Sequence, residues 1–299
     1  MDRGPPADRD PATLLEFGVI NLDKPPGPSA HQVAAWVRNM AGVERAAHAG
    51  TLDPKVTGCL PTLTGTATRL AQVFDDSRKG YVAVLEAHAR LPDDVEPTLS
   101  EFEGPLYQKP PRKSAVARRL RVREIHRLTA LEREDRRLLL DVECESGTYI
   151  RKLCHDLGLA LGTGAHMGDL RRRKTGGFDD ATLSTMEDLA DGLAFWREHD
   201  DAELLREVVA PAERALEGLP SLTVAPSAAR EIAVGAPVYA PGVIEADLGD
   251  ADAGDLLACY TPDGAAVCLG HLVGDPDADS GTVVELERVL VRPEPKRRG

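Results

Sequence analysis

An α+β fold with a small β-barrel at its C-terminal end is what the sequence predicts, from three observations. A chain of 299 residues is longer than one core of ordinary size accommodates, so two domains are expected. Up to about Leu216, helical apolar stripes are interleaved with strand-like alternation. Beyond Pro220 the texture changes to short strand-like runs separated by Gly, Pro and Asp, among them Leu256-Leu257-Ala258-Cys259-Tyr260 and Val283-Val284-Glu285-Leu286, as in a small barrel. The boundary falls near Leu216 to Pro220.

The first dozen residues, rich in Pro, Asp and Arg, are expected to be mobile or draped on another surface, with order beginning near Phe17. Asp23-Lys24-Pro25-Pro26-Gly27-Pro28 reads as a stiff turn. Ser29 and Gln32 then have the spacing of a capping box, which opens a helix with Val33, Trp36, Val37 and Met40 on one face. Tyr81 to Ala87 reads as a strand. So does the segment in which Leu138, Leu140, Val142 and Cys144 alternate with Asp141 and Glu143. After a turn at Ser146-Gly147, Leu153, Leu157 and Leu161 form a helical stripe that stops at Gly162. Ser184 and Glu187 predict a second capping box, for a helix carrying Leu189, Leu193 and Trp196. Residues 245–255 and 275–279 read as acidic loops, and no internal repeat is found.

Composition narrows the function. No apolar run has bilayer length and the N-terminus lacks the basic-then-apolar pattern of a secretion signal, so a cytoplasmic location is expected. The five cysteines are scattered without a metal-ligand spacing and read as reduced structural thiols. Net charge is −13, which argues against a nucleic-acid binder. However, 27 Asp set beside 8 Lys and 28 Arg suggests adaptation to high salt, in which carboxylates solvate a surface whose function lies elsewhere. Residues 216–299 carry 6 basic and 14 acidic side chains, yet two local runs are basic. One is Lys109, Arg112, Lys113, Arg118, Arg119, Arg121, Arg123 and Arg127; the other is Arg171-Arg172-Arg173-Lys174. Each reads either as a solvated face or as a site for an anionic ligand.

The segment that departs from bland patterning is His48-Ala49-Gly50-Thr51-Leu52-Asp53-Pro54. Asp before Pro is an ordinary turn former, and spacing does not separate Asp53 from the other 26 aspartates. The segment does, however, resemble the signature of the TruB/dyskerin family of pseudouridine synthases, and its companions follow in the family's order. Asp23-Lys24-Pro25-Pro26-Gly27-Pro28-Ser29 resembles the Lys-Pro motif, Gly80-Tyr81-Val82-Ala83 the tyrosine motif, and Gly147-Thr148-Tyr149-Ile150-Arg151-Lys152-Leu153 the arginine motif. Gly164-Ala165-His166-Met167-Gly168-Asp169-Leu170-Arg171-Arg172 resembles the last. The run from Tyr107 to Arg123, the run Arg151 to Gly158, and residues 220–292 are similar to the archaeal counterpart of dyskerin. Gly80, Ala30 and Gly177 differ from the family pattern.

The resemblance implies a catalytic domain on a mainly antiparallel sheet, residues 13–215, and a PUA RNA-binding domain, residues 219–293. It implies an isomerase of uridine in rRNA and tRNA that works in a box H/ACA ribonucleoprotein, with a guide RNA and three small accessory proteins and without a membrane. A guide-independent enzyme acting on the tRNA T-loop and a non-catalytic RNA-binding scaffold remain alternatives. The reaction neither gains nor loses atoms, so no cofactor and no metal are expected. Asp53 would be the catalytic carboxylate, stabilising positive charge at the anomeric carbon, attacking it, or removing a neighbouring proton. By resemblance Arg151 is its cationic partner, able to hold it bidentately in a dry pocket. Tyr81 would be the stacking platform for a flipped base, with its hydroxyl free for a polar contact or proton transfer. Tyr149 and Leu170 would line the pocket, His48 would support the loop or contact RNA, and Lys24 would orient the catalytic loop or contact phosphate.

Overall fold

The structure is a computed structural model in which residues 3–110 and 119–292 are described. Arg112, Lys113 and Arg118 of the first basic run, the 111–118 part of the run from Tyr107 to Arg123, and residue 293 lie outside the described residues. In chain order the first part comprises α1 (Pro11–Glu16), β1 (Gly18–Lys24), α2 (Ala30–Ala41), β2 (Ala46–His48), β3 (Thr57–Thr64) and β4 (Lys79–Ala87). Then follow α3 (Glu96–Ser100), β5 (Gly104–Gln108), β6 (Arg121–Arg133), β7 (Arg137–Cys144), α4 (Ile150–Ala160) and β8 (Ala165–Thr175). β9 (Phe178–Asp179), α5 (Met186–His199), α6 (Glu203–Val208) and β10 (Ala210–Pro211) complete it. These strands form a 10-stranded sheet in the order β10-β1-β3-β8-β4-β7-β6-β5, with β2 on β3 and β9 on β8. Its pairings are antiparallel except β3 with β8, so the expected mainly antiparallel sheet is present.

The C-terminal part comprises β11 (Ser221–Val224), α7 (Pro226–Ala233), β12 (Val238–Tyr239), β13 (Val243–Asp247), β14 (Leu256–Tyr260), β15 (Ala266–Leu272) and β16 (Thr282–Val289). Its ladder runs β12-β16-β15-β14-β11-β13. The two ends of that path, β12 and β13, are joined by the short 3₁₀ turn Ala240–Gly242, which brings the path back on itself at that corner; among the described residues the two strands do not pair. Irregularities in four of its five pairings allow the bending this requires. Inside lie Leu222, Val224, Ile232, Leu257, Val267 and Val284. Strand Val243–Asp247 takes up the start of the acidic stretch expected to be a loop.

Ser29 caps α2 and closes the expected box with Gln32. Val33 and Val37 are fully buried, but Trp36 is 45% exposed and lines a cleft of about 340 Å³ with Pro25, Pro26 and Met186, so it is not part of the core. The second box is shifted by one residue, to Thr185 and Asp188. Ser184 is instead held by its backbone, which accepts from Asp23 N at 2.8 Å and donates to Asn21 O at 2.9 Å. Asp141, expected on an open strand face, is 6% exposed because Arg173 and Arg127 cover it.

Order begins earlier than Phe17. Asp10 caps α1, accepting from the backbone of Ala12 and Thr13, and the Thr13 hydroxyl with these amides lowers its pKa. The Arg3 guanidinium lies 3.7 Å from the Phe17 ring and donates to the carbonyls of Leu290 and Ala266, so the N-terminal segment is draped over the second sheet. A shared apolar cluster of Phe17, Val19, Leu63, Leu70 and Phe178 with Ala258, Ala266, Leu269 and Leu290 packs the two sheets together. All five cysteines are buried and unpaired. Among the described residues, no helix is long and apolar enough to cross a membrane.

Candidate active site

The loop between β2 and β3 carries Asp53, and three groups fasten it to the sheet. Lys24, at the end of β1, is fully buried; its ammonium donates to the carbonyls of Pro25 (2.9 Å), Pro54 (3.0 Å) and Val56 (2.8 Å). Burial lowers its pKa, with the Asp53 charge acting against that shift. With its three protons given to carbonyls, Lys24 lies beneath the loop and holds it by hydrogen bonds. Gly27 N donates to Pro54 O at 2.9 Å, bringing the Pro-rich turn against the same point. On the other side Arg172, 1% exposed, donates from Nε to Cys59 O (2.8 Å) and from Nη2 to Ala49 O (3.1 Å) and Gly50 O (3.3 Å).

Asp53 projects from this loop and accepts from Nη2 of Arg151, in the first turn of α4. The contact is through one carboxylate oxygen and one guanidinium nitrogen, not the two-point fork expected. Both side chains are about half exposed, 55% and 53%, so the pocket is open to solvent in this structure rather than dry. A pair this exposed adds little to stability, and the N-terminus of a helix is an unfavourable place for a cation. The arrangement therefore calls for an explanation other than folding.

The backbone that presents Arg151 is fixed by Gln108, 2% exposed, whose amide accepts from Tyr149 N (2.9 Å) and donates to Tyr149 O (3.4 Å). Tyr149 thus precedes Arg151 at the helix start, half-buried. Tyr81, on β4, lies opposite Arg172 of β8, and Leu170 lies opposite Ala83 two positions along. Because side chains alternate across a strand, Tyr81, Leu170 and Arg172 share one face. Tyr81 and Leu170 both pack against the two apolar clusters that flank this face. Burial raises the Tyr81 pKa, and the Arg172 guanidinium beside the hydroxyl opposes it. His48 opens the loop with Nε2 at 3.2 Å from Nδ1 of His31; burial, then the neighbouring His31 and Arg172, lower its pKa.

The basic cluster 171–174 is not an exposed anion site. Strand alternation sends Arg171 to Asp23 in a two-point ion pair (3.0 and 2.9 Å), Arg172 into the interior, and Arg173 to Asp141, leaving Lys174 exposed. In the first basic run, Arg123 pairs with Glu145 (2.7 Å) and Arg127 with Asp141 (2.6 Å), whereas Lys109 and Arg119 are exposed. Arg172 and Gln108 are the residues that sequence reasoning missed. Gln108 stood inside a quoted motif, but nothing in an isolated Gln marks it as a backbone clamp.

Three family profiles match the chain: the DKCLD (NUC011) domain over residues 4–34, the TruB family pseudouridylate synthase N-terminal domain over 38–96, and the tRNA pseudouridylate synthase B C-terminal domain over 151–217. A protein of Haloarcula marismortui named probable tRNA pseudouridine synthase B is 66% identical over 294 residues, covering 97% of this chain and 93% of the relative. A chain of a Cbf5-Nop10-Gar1 complex superposes with a TM-score of 0.90 at 42% identity, over 97% of this chain and 89% of that one. A chain of an H/ACA RNP bound to a substrate RNA containing 2'-deoxyuridine gives a TM-score of 0.90 at 40% identity, over 98% and 91%. Likeness of this degree over nearly the whole length leaves one assignment: the chain belongs to the TruB/dyskerin family and is a pseudouridine synthase, an isomerase.

Proposed function

We propose that this enzyme isomerises uridine in rRNA and tRNA at positions chosen by a box H/ACA guide RNA, with Asp53 as the catalytic carboxylate and Arg151 as its partner. The observation that carries the reading is the Asp53–Arg151 pair, held at the tip of a loop that Lys24 and Arg172 anchor from below. In the reaction the bond from ribose C1′ to N1 breaks, the base turns, and C1′ joins C5; the proton on C5 leaves and N1 ends protonated. Positive charge develops at C1′, where a carboxylate stabilises it, attacks it, or takes a neighbouring proton. The leaving base is retained, so the second carboxyl that a glycosidase needs to activate water has no task here. Since the pocket is open, the RNA itself supplies the cover that excludes water.

A flipped uridine would stack on Tyr81 beside Leu170, with Tyr149 on the Arg151 side and His48 at the loop's start. Base–aromatic stacking is worth about 1–3 kcal/mol, so Tyr81→Ala is expected to slow single-turnover conversion by roughly 10- to 100-fold. Tyr81→Phe separates the two roles of the residue. A rate near wild type leaves the ring alone as the active part, whereas a loss as deep as that of Tyr81→Ala assigns proton transfer to the hydroxyl.

Residues 13–215 form the catalytic domain in this reading, and residues 219–293 a PUA domain that grips the guide. The likeness to a chain of a Cbf5-Nop10-Gar1 complex and to a chain of an H/ACA RNP bound to substrate RNA supports a particle with small accessory proteins, which in this reading number three. The likeness to the Haloarcula protein, named a probable tRNA pseudouridine synthase B, supports tRNA among the targets. We assign the protein to the cytoplasm of a salt-adapted archaeon, on the Asp-rich, Lys-poor composition. Unfolding midpoint and activity are expected to rise with KCl toward molar concentrations; full activity confined to low ionic strength removes the salt-adaptation reading. The deciding assay is conversion of uridine in a guide-paired target by the reconstituted particle, with the guide present or omitted. Guide-dependent conversion supports the proposal, equal modification of free tRNA without guide favours the stand-alone enzyme, and binding without conversion under any salt condition favours a scaffold.

A further inference from the structure

Among the described residues Arg172 is one of the largest buried side chains, and no carboxylate lies within ion-pair distance of it. Burying a cation without a counter-ion is costly, and an apolar side chain of similar size would serve stability better. A second buried cation, Lys79, lies close by, donating to Phe74 O (2.8 Å), Ser77 O (2.8 Å) and Ser77 Oγ (2.6 Å). Burial first, and the Arg172 charge second, push Lys79 down to about 8. The contacts of Arg172 suggest what this costly arrangement serves. Its Nη2 holds two consecutive carbonyls, Ala49 and Gly50, at the start of the loop that reaches Asp53 three residues on. Its own position in the ladder is opposite Tyr81, so the two side chains leave the sheet on the same face. Gly50 has φ +79°, and a Cβ there would stand 3.2 Å from Nη1, so the glycine lets the guanidinium lie flat against the loop.

We infer that Arg172 is a positioning residue that sets Asp53 and Tyr81 relative to each other, one rigid guanidinium spanning the catalytic loop and the strand of the stacking ring. The inference rests on the reading of Asp53 and Tyr81 given above. A planar fork reaches both elements at once. A lysine ammonium at this position is a shorter, compact point charge without the planar fork, and when buried it loses its proton readily.

The test compares Arg172→Lys, Gly50→Ala and the double variant in the reconstituted particle, by thermal unfolding, RNA affinity and single-turnover rate from pH 6 to 9. Displacement of a reacting group by about 1 Å costs on the order of 10²-fold. Each single variant is therefore expected to lose about that in rate while RNA affinity stays within about 3-fold. The double variant is expected to lose much less than the product of the two, because both changes release the same contact. For Arg172→Lys, the remaining rate falls as pH rises, from a lower pH than in wild type. The introduced ammonium faces Lys79 and Tyr81 on β4, Cys59 on β3 and His48 on β2, and it is charged only at the acid end. Wild-type rate in a folded Arg172→Lys protein, or strictly multiplicative losses, overturns the inference. Should Arg172→Lys fail to fold, Gly50→Ala decides alone: loss of rate with RNA affinity retained supports it, and loss of neither overturns it. Activity surviving in Asp53→Asn, measured alongside, would instead sink the catalytic reading on which the inference stands.

Discussion

Asp53→Asn is expected to lower uridine conversion by about 10³-fold or more, roughly 4 kcal/mol of transition-state stabilisation, with RNA affinity and thermal stability close to wild type. The amide keeps the shape of the side chain and an oxygen for Arg151 but carries no charge to place beside a developing cation. It can neither attack C1′ nor take up a proton. Stability is spared because Asp53 and Arg151 are each about half exposed, and a pair that water reaches contributes little to folding. The substitution therefore separates catalysis from structure. Single-turnover conversion in the guide-paired target, with filter binding and a melting curve on the same preparation, makes the comparison. An Asn variant within tenfold of wild type would remove Asp53 from the chemistry.

Breaking the Arg9–Glu213 pair has the largest expected effect on stability. Arg9 Nη1 and Nη2 donate to the two Glu213 carboxylate oxygens at 2.8 and 2.7 Å, with the Arg9 side chain fully buried and that of Glu213 10% exposed. Glu213 Oε1 also accepts from Ala266 N of β15 at 3.0 Å, so the pair ties the N-terminal segment to the second sheet. Either Arg9→Met or Glu213→Gln leaves its partner buried and unpaired, at an expected cost of about 3–5 kcal/mol. Combining Arg9→Met with Glu213→Gln removes both charges and leaves an amide oxygen to accept from Ala266 N, so the double variant should be milder than either single one. Denaturant midpoints in concentrated KCl give the comparison. A double variant as unstable as the sum of the singles would mean that the ion pair itself, and not the stranded charge, sets the cost.

Local chemistry made much of the fold legible. The Ser29–Gln32 box, the Gly162 stop after α4 and the alternation in β7 depend on residues within a few positions, and each is where the sequence puts it. The change of texture near residues 216–220 coincides with the start of the second sheet at Ser221. The misreadings share one cause. Ser184 has the residue type and spacing of a cap, but its backbone is taken by Asn21 and Asp23 across the chain, so the cap passes to Thr185. Trp36 has helical spacing with Val33 and Val37, yet it is left 45% exposed on the wall of a cleft.

The candidate site divides in the same way. Asp53, Tyr81 and Arg151 were singled out through ordered motifs, since residue type and order survive in a one-dimensional string. Their spacing alone distinguished none of them. Four consecutive basic residues read as a charged surface until the pairing of β8 with β3 and β4 assigns each its face. Arg171 then meets Asp23, 148 positions away; Arg172 meets Ala49 and Gly50, more than 120 away; and Arg173 meets Asp141, 32 away. By itself the sequence determined α2, β4, β7 and α4 and the change from one sheet to the next, because those depend on neighbours along the chain, and the identity of the chemistry, because motif order survives in the string. Only the tertiary structure decided which charges are spent on carbonyls and carboxylates inside and which are left for RNA, because burial is set by residues that meet only when the chain has folded.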